Sequence, residues 1–234
     1  MQKIDLESEL RQNPYPGRGV VLGRAPDGKS AVVLYFIMGR SGNSRNRIFI
    51  RTEDGIRTVA FDPAKMTDPS LVIYHPVRFY DGRLIVTNGD QTDTVRDFMI
   101  NDDSFESALR TRTFEPDAPN YTPRISGLVR PDGSYILSIL KSMDGDPFCC
   151  CRSFFDYESP VPGVGHFIHT YRSDGDPLPS FDGEPKPCAI GADFDQFAGS
   201  VWAALNPDNK VSLYACQIDI RSGEHRQIIF NKNS

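Results

Sequence analysis

The sequence predicts an α+β fold, built mainly from antiparallel strands, with all 234 residues in one domain. Asp-Gly, a favoured hairpin turn, occurs seven times, and short runs rich in Val, Ile, Leu, Tyr and Phe lie between these turns. The helical segments lie between groups of strands without regular alternation, which favours layers over a doubly wound sheet. No linker divides the chain, so we expect a single domain over 1–234.

Two hairpins are the clearest elements. The first pairs 19–24 with 30–38 across an Asp-Gly turn, and the second pairs 124–130 with 134–140 across Pro-Asp-Gly. Further strands are predicted over 56–61, 71–79, 83–87, 148–155, 166–172, 211–220 and 226–230.

Three segments have the features of helices. Apolar residues recur at helical spacing within 92–100, and 103–106 resembles a capping box that opens a second helix. An i, i+4 apolar stripe predicts a third helix over 194–205. The segment 173–187, with prolines and glycines among acids, is expected to be a surface loop.

Charge and composition exclude several classes of protein. The chain has 26 basic and 31 acidic residues, a net charge of −5, which argues against binding nucleic acid by bulk charge. No apolar run approaches the roughly 20 residues that span a bilayer, so we expect no membrane partner. The segment 1–10 has no apolar region, so no signal peptide is expected. The sequence leaves open whether the protein is a homo-oligomer.

The cysteines and histidines are not arranged as metal ligands. The five cysteines lack a CxxC pair, which is typical of reduced thiols in a cytoplasmic protein. Cys149, Cys150 and Cys151 are expected in a strand interior, since cysteine behaves as a small buried hydrophobe. His166 and His169, three apart on a strand, would point to opposite faces. We therefore expect no metal. The glycines at 17, 19 and 23 lack the spacing of a dinucleotide-binding loop, so no cofactor is expected either.

One loop has the composition of an anion site. The segment 39–47 holds Arg40, Asn46 and Arg47 among glycines and small polar residues. Glycines let backbone amides approach a ligand, and arginine makes bidentate contacts to phosphate. At this level, phosphate binding and an ordinary solvated loop are equally supported.

Two further segments carry polar side chains next to strands. Asn88 and Asp93 lie where a strand turns into a helix, and a plain turn with a helix cap explains them as well as a ligand does. A rigid, proline-rich connection over 114–124 presents Glu115 and Arg124.

Four segments, taken together and in this order, carry a resemblance to a known family: Gly17-Arg18 with Val-Leu-Gly-Arg24, Arg40-Ser with Asn46-Arg47, Thr-Asn88-Gly-Asp-Gln-Thr-Asp93-Thr, and Asn120-Tyr-Thr-Pro-Arg124-Ile. They resemble the archaeal-type IMP cyclohydrolases, single-function enzymes that close the last ring in purine synthesis. The resemblance covers about 15–130 and fades after Pro147. Here Tyr121 is inserted in the last segment, and the arginine-rich loop is longer.

The resemblance implies a fold, a substrate and a set of site residues. The fold would be a four-layer α/β/β/α sandwich like that of N-terminal nucleophile hydrolases, without an N-terminal nucleophile. The substrate would be a purine nucleotide precursor, 5-formamidoimidazole-4-carboxamide ribonucleotide. The implied catalytic residues are Tyr74, Glu115 and Arg47, and the implied substrate-binding residues are Arg40, Asn46, Asn88, Asp93 and Arg124.

Ring closure assigns a role to each catalytic residue. We expect Glu115 to orient or deprotonate the attacking carboxamide and Tyr74 to donate to the formyl oxygen. Arg47 would hold that oxygen or the 5′-phosphate. Two alternatives stay open at this point: a purine-nucleotide-binding module without catalysis, and a hydrolase that releases formate from the same formamide.

Overall fold

The computed structural model describes residues 2–233. Its strands are β1 (Arg18–Arg24), β2 (Ser30–Met38), β3 (Arg47–Thr52), β4 (Gly55–Ala60), β5 (Val77–Tyr80), β6 (Arg83–Thr87), β7 (Arg124–Val129), β8 (Tyr135–Ser142), β9 (Cys150–Tyr157), β10 (Val164–His169), β11 (Lys186–Ala189), β12 (Lys210–Asp219) and β13 (His225–Asn231). Its α-helices are α1 (Leu6–Gln12), α2 (Gly42–Arg45), α3 (Gln91–Ile100), α4 (Phe105–Arg110) and α5 (Phe194–Ala204), and a 3₁₀ turn covers Pro63–Lys65.

The strands form two antiparallel sheets, which confirms the α+β prediction. The six-stranded sheet has the order β11-β10-β1-β2-β12-β13, and the seven-stranded sheet has the order β3-β4-β5-β6-β7-β8-β9. Both hairpins predicted from the sequence pair as expected, β1 with β2 and β7 with β8.

Three apolar clusters hold these elements together. The inner faces of the two sheets pack on each other, with Tyr35 of one sheet and Leu137 of the other both buried. Helices α1 and α5 cover the outer face of the six-stranded sheet, and α3 and α4 cover that of the seven-stranded sheet. Because both faces of β2 are covered, all nine of its residues are buried, which explains its uninterrupted apolar run.

The segment predicted as one strand over 71–79 is a strand only from Val77. Pro76 has no N–H to donate to a sheet ladder, so the preceding residues are irregular. The hydroxyl of Thr58 instead donates to the Val72 carbonyl at 2.8 Å. The hydroxyl oxygen of Thr58 also accepts a hydrogen bond from the Tyr74 N–H at 2.8 Å. These contacts fix Tyr74 outside any strand.

Two strands and one cap differ from the sequence predictions. β3 begins at Arg47, inside the predicted arginine-rich loop, and β11 lies partly in the predicted surface loop 173–187. β11 contains Pro187, which is tolerated because this strand is at a sheet edge. The cap of α4 is Ser104, whose side chain accepts from the Ser107 N–H, rather than Asp103.

The cysteine run is only partly in a strand. β9 begins at Cys150, and Cys149 is exposed outside it, so the expectation of a strand interior is wrong for Cys149. Cys150 and Cys151 lie in β9 but are half-buried. The residues 2–233 contain no cluster of three or more His, Cys, Asp or Glu side chains placed to hold a metal. None of the helices in this range has the length and apolar character needed to cross a membrane.

Candidate active site

Side chains from four separate segments converge where several strands of the two sheets begin. Arg18 is the first residue of β1 and Arg47 the first of β3, and Tyr74 lies in the irregular segment before β5. The fourth, Glu115, lies in the connection between α4 and β7. The charge of Glu115 acts on Arg18, and Tyr74 acts on both arginines, so the four form one electrostatic group.

Glu115 is a buried carboxyl group, with only 2% of its surface exposed. Its backbone N–H donates to the Thr122 carbonyl at 2.9 Å, which closes the loop that carries it. Burial raises the pKa of Glu115 to about 7, against the opposing charges of Arg18 and Arg124. A carboxyl group with this pKa can accept and return a proton at neutral pH.

Arg47 is fully buried and has a free donor. Its Nε donates to the Ser44 carbonyl at 2.8 Å, whereas its Nη2 is buried without a hydrogen-bond partner among residues 2–233. Burial lowers the pKa of Arg47; Tyr74 opposes this effect and Arg18 adds to it. Since a guanidinium keeps its charge in proteins, Arg47 presents a buried positive charge with an unused N–H group.

Arg18 is the cation that faces Glu115. Burial opposes its charge, but Glu115 and three tyrosines led by Tyr171 together outweigh burial and raise the pKa of Arg18 well above its ordinary value. Its Nε also has no partner among residues 2–233. Arg18, Arg124 and Arg47 all act on Glu115 through their charges, so the group has excess positive charge even when Glu115 is ionised.

The hydroxyl of Tyr74 is paired with a second hydroxyl, and burial determines which of the two donates. Its Oη lies 2.9 Å from the Oη of Tyr35, which is fully buried. Burial raises the pKa of Tyr35 well above its ordinary value, so Tyr35 keeps its proton. A buried donor left unpaired would be costly, so Tyr35 donates to Tyr74. The proton of Tyr74 is then free to be donated to a ligand oxygen.

A second buried tyrosine, Tyr171, approaches the group from the end of β10. Its ring stacks on Tyr15, with centroids 5.8 Å apart, and its hydroxyl contacts the Thr122 hydroxyl. Gly17 makes room for this ring, because a Cβ there would lie 2.5 Å from the Tyr171 ring. The Gly17 backbone is also left-handed, with φ +77°.

Arg40 lies at the outer rim of the group. Its Nη1 donates to the Asp174 carboxylate at 2.8 Å and to the Gly175 carbonyl at 2.9 Å. Its guanidinium lies over the Tyr15 ring, 5.2 Å from the centroid. Arg40 thus reaches Tyr171 only through Tyr15.

Asn46 and Asn88 use their side-chain amides to hold backbone. Asn46 donates to the Asp62 carbonyl and accepts from the Asp62 N–H, both at 2.8 Å. Asn88 donates to the Pro123 carbonyl and accepts from the Ile125 N–H, also at 2.8 Å. Each asparagine therefore fixes the segment next to a site residue.

Arg124 belongs to the group, whereas Asp93 lies in a different cluster. Arg124 donates to Asp90 Oδ1 at 2.7 Å, and its charge lowers the pKa of Glu115. Asp93 accepts from Arg78 Nε at 2.6 Å and does not contact Glu115.

The structure adds three residues that sequence reasoning did not select: Arg18, Asp117 and Tyr171. Arg18 stands in a recognised segment, but nothing in the sequence gave it a role. Asp117 and Tyr171 come from a proline-rich loop and a strand end, and their approach depends on how the two sheets pack. The two residues are linked through the Thr122 hydroxyl, which contacts both of them.

The site defines the class of protein. A carboxyl group titrating near neutrality, beside buried arginines and a tyrosine that can donate, is typical of an acid–base enzyme for an anionic substrate. Residues 15–224 match the family described as IMP cyclohydrolase-like protein. The chain belongs to this family.

Curated relatives agree with the family match. The chain is 30% identical over 204 residues to an IMP cyclohydrolase of Methanopyrus kandleri, covering 81% of this chain and 98% of the relative. It is 30% identical over 132 residues to an IMP cyclohydrolase of Halobacterium salinarum, covering 55% and 63%. An IMP cyclohydrolase of Methanococcus aeolicus is 27% identical over 126 residues, covering 52% and 61%.

Proposed function

We propose that the protein is an IMP cyclohydrolase, which closes 5-formamidoimidazole-4-carboxamide ribonucleotide to IMP in purine biosynthesis. The observation that carries the proposal is the buried Glu115, whose pKa is raised to about 7 beside Arg18. Ring closure needs a base that releases its proton again, and such a pKa suits both steps.

The reaction loses one water. The carboxamide nitrogen forms a bond to the formyl carbon and loses a proton, while the formyl oxygen gains one. The hydroxyl group then leaves as water, and the former formamide nitrogen loses its proton as the C=N bond forms. Holding both groups of one molecule in contact can contribute up to about 7–11 kcal/mol in the best intramolecular cases.

Three side chains divide this work. Glu115 accepts the proton of the carboxamide. Tyr74, with Tyr35 donating to it, directs its own proton to the formyl oxygen. Arg47, with its unused Nη2, binds that oxygen or the 5′-phosphate.

The substrate-binding residues follow from the same contacts. Arg124 and Arg40 supply positive charge near the site and at its rim. Asn46 and Asn88 hold the backbone beside Arg47 and Arg124, so we assign them positioning roles. The proposal gives Asp93 no direct substrate contact, because Arg78 holds its carboxylate.

The fold and compartment are part of the proposal. Helices on both outer faces of the paired sheets support a single-domain, four-layer α/β/β/α sandwich of the N-terminal nucleophile hydrolase kind. The unpaired cysteines support a cytoplasmic enzyme.

The test is to mix purified protein with the formamido ribonucleotide and measure IMP by absorbance and formate by a coupled assay. We expect IMP without formate. Formate without IMP would identify a hydrolase, and tight binding of IMP without turnover would identify a binding module. The unformylated amine with formyl-tetrahydrofolate should give no IMP.

A further inference from the structure

A chain of three polar side chains joins the loop of Glu115 to the other sheet. Thr122 Oγ1 contacts both Asp117 Oδ2 and Tyr171 Oη. The Thr122 N–H also donates to Asp117 Oδ1 at 2.6 Å, so both carboxylate oxygens face Thr122. Thr122 and Tyr171 are 1% and 2% exposed, which shields the contact between their hydroxyls from water, whereas Asp117 is half-buried.

The chemistry of the three groups determines which group donates and which accepts in each of these hydrogen bonds. A carboxylate only accepts, so the Thr122 hydroxyl must donate to Asp117. A hydroxyl has one proton, so Thr122 can only accept from Tyr171, and the Tyr171 hydroxyl donates to it. Burial raises the pKa of Tyr171, with Arg18 opposing, so this proton is retained.

We infer that Tyr171 is a further substrate-binding residue, whose oxygen accepts a hydrogen bond from an N–H or O–H group of the bound nucleotide. Thr122 and Asp117 are positioning residues that make this oxygen an acceptor. No protein group among residues 2–233 donates to it. The inference rests on the proposed function for the identity of the ligand.

The two tyrosines of the site then have opposite polarity. Tyr74 receives a hydrogen bond from Tyr35 and offers a proton, whereas Tyr171 gives its proton to Thr122 and offers a lone pair. A nucleotide precursor carries both an oxygen that needs a donor and N–H and O–H groups that need an acceptor. The pair of tyrosines thus selects the orientation in which each group meets its complement.

The substitution Asp117→Asn keeps the shape of the side chain but should reverse the direction of the hydrogen bonds that link residues 117, 122 and 171. The Thr122 N–H keeps the amide oxygen, so the amide NH₂ faces the Thr122 hydroxyl and donates to it. Thr122 then donates to Tyr171, whose proton turns toward the ligand. A donor now faces a donor, and we expect the dissociation constant for IMP, measured by calorimetry, to rise about 100-fold.

Tyr171→Phe removes the acceptor without placing a donor there. We expect a smaller loss of IMP affinity, about tenfold. The double variant should bind like Tyr171→Phe alone, so the second substitution partly restores the affinity lost by Asp117→Asn. A purely structural role for Asp117 would give additive losses, and additive losses would overturn the inference.

Asp132→Asn is the matched control, because Asp132 accepts from both the N–H and the hydroxyl of Ser134 in a distant hairpin turn. It should leave IMP affinity unchanged; a loss equal to that of Asp117→Asn would overturn the inference. Turnover is measured separately. Wild-type protein that binds IMP but forms none contradicts the proposed function alone, and the order of the affinities still decides the role of Tyr171. Failure to bind IMP at all contradicts both.

Discussion

Two buried arginines, Arg47 and Arg78, show how differently the molecule treats the same side chain. Arg78 lies between Asp54 and Asp93, and hydrogen bonds to both outweigh its burial and raise its pKa. Among residues 2–233 no carboxylate forms a hydrogen bond or ion pair with Arg47, whose side chain donates only to backbone carbonyls, and burial lowers its pKa. The N–H groups of Arg78 are paired with carboxylates of the protein. Within the described range, Arg47 is a buried charge with an unpaired N–H group, which lowers the stability of the folded state. A charge kept in this way is available to a ligand.

The carboxyl groups near these arginines also differ in pKa: Asp54, beside Arg78, has a lowered pKa, whereas Glu115 has a raised one. Burial acts to raise the pKa of Asp54, but the hydrogen bond and charge of Arg78, together with the hydrogen bond from Thr52, outweigh burial and lower the pKa. At Glu115 burial dominates, although three arginines oppose it. Asp54 therefore stays ionised beside Arg78, whereas Glu115 retains a proton that can be moved.

Glu115→Gln should give the largest effect. The amide keeps the shape but cannot accept a proton, and general acid–base groups contribute about 10²–10⁴-fold to rate. We expect kcat to fall by that factor, with IMP affinity within a few-fold of wild type. Steady-state kinetics and calorimetry measure the two quantities.

The matched control is Glu158→Gln, since Glu158 is exposed on the surface. It should leave kcat unchanged. If Glu115→Gln were equally silent, the contrast between the two clusters would have no bearing on catalysis.

Replacing each arginine by methionine separates binding from stability. Arg47→Met should weaken IMP binding about 10- to 100-fold, the value of a charge-assisted hydrogen bond, while the free energy of unfolding holds or rises. Arg78→Met should lower the free energy of unfolding by about 1–3 kcal/mol and leave binding within a few-fold. The partial exposure of Asp54 and Asp93, 35% and 41%, limits this loss.

Calorimetry and urea titration on both variants measure this pair of effects. The opposite assignment, with Arg47→Met unfolding the protein and Arg78→Met losing the ligand, would reverse our interpretation of the two clusters.

The stability of the fold should also depend on pH in a way that Glu115 controls. Its pKa is about 7 in the folded protein, above the ordinary 4.5, so between these values the folded state binds a proton that the unfolded state has lost. Stability from this group is therefore full below about pH 4.5, falls as pH rises to 7, and is constant above.

The loss is at most about 3–4 kcal/mol, since one unit of pKa corresponds to about 1.4 kcal/mol. Glu115→Gln lacks this dependence, so its melting temperature relative to wild type should rise between pH 5 and pH 8. A constant difference would show that the pKa of Glu115 is ordinary. Asp54, with its lowered pKa, contributes in the opposite direction, only at acid pH.

Hydropathy and turn residues were sufficient to predict much of the fold. The apolar run of β2 and its Asp-Gly turn gave the first hairpin correctly, because local propensity and tertiary packing agree there. The segment around Tyr74 was mispredicted because Thr58, far away in sequence, replaces the strand ladder. Such a contact leaves no periodic signal.

The candidate site was less accessible to sequence reasoning. Composition alone made Arg47 a candidate anion-binding residue, but the catalytic roles of Glu115 and Arg47 came from the family resemblance, since an acid before a proline has no distinctive local pattern. Tyr171 and Asp117 could not be found that way, because their proposed roles depend on the direction of the hydrogen bonds that each makes with Thr122. Burial and hydrogen-bond partners are properties of the folded chain.

Gly17 restricts which residues this position can hold in evolution as long as Tyr171 is present. A side chain at this position would overlap the Tyr171 ring and the Thr170 hydroxyl, with contacts of 2.5 and 2.2 Å to a Cβ. A larger residue is thus tolerated only where the aromatic ring has already been lost. The two positions are expected to diverge together, so the pairing of glycine at 17 with tyrosine at 171 can serve as a signature that separates chains with an intact pocket from those that retain the scaffold alone.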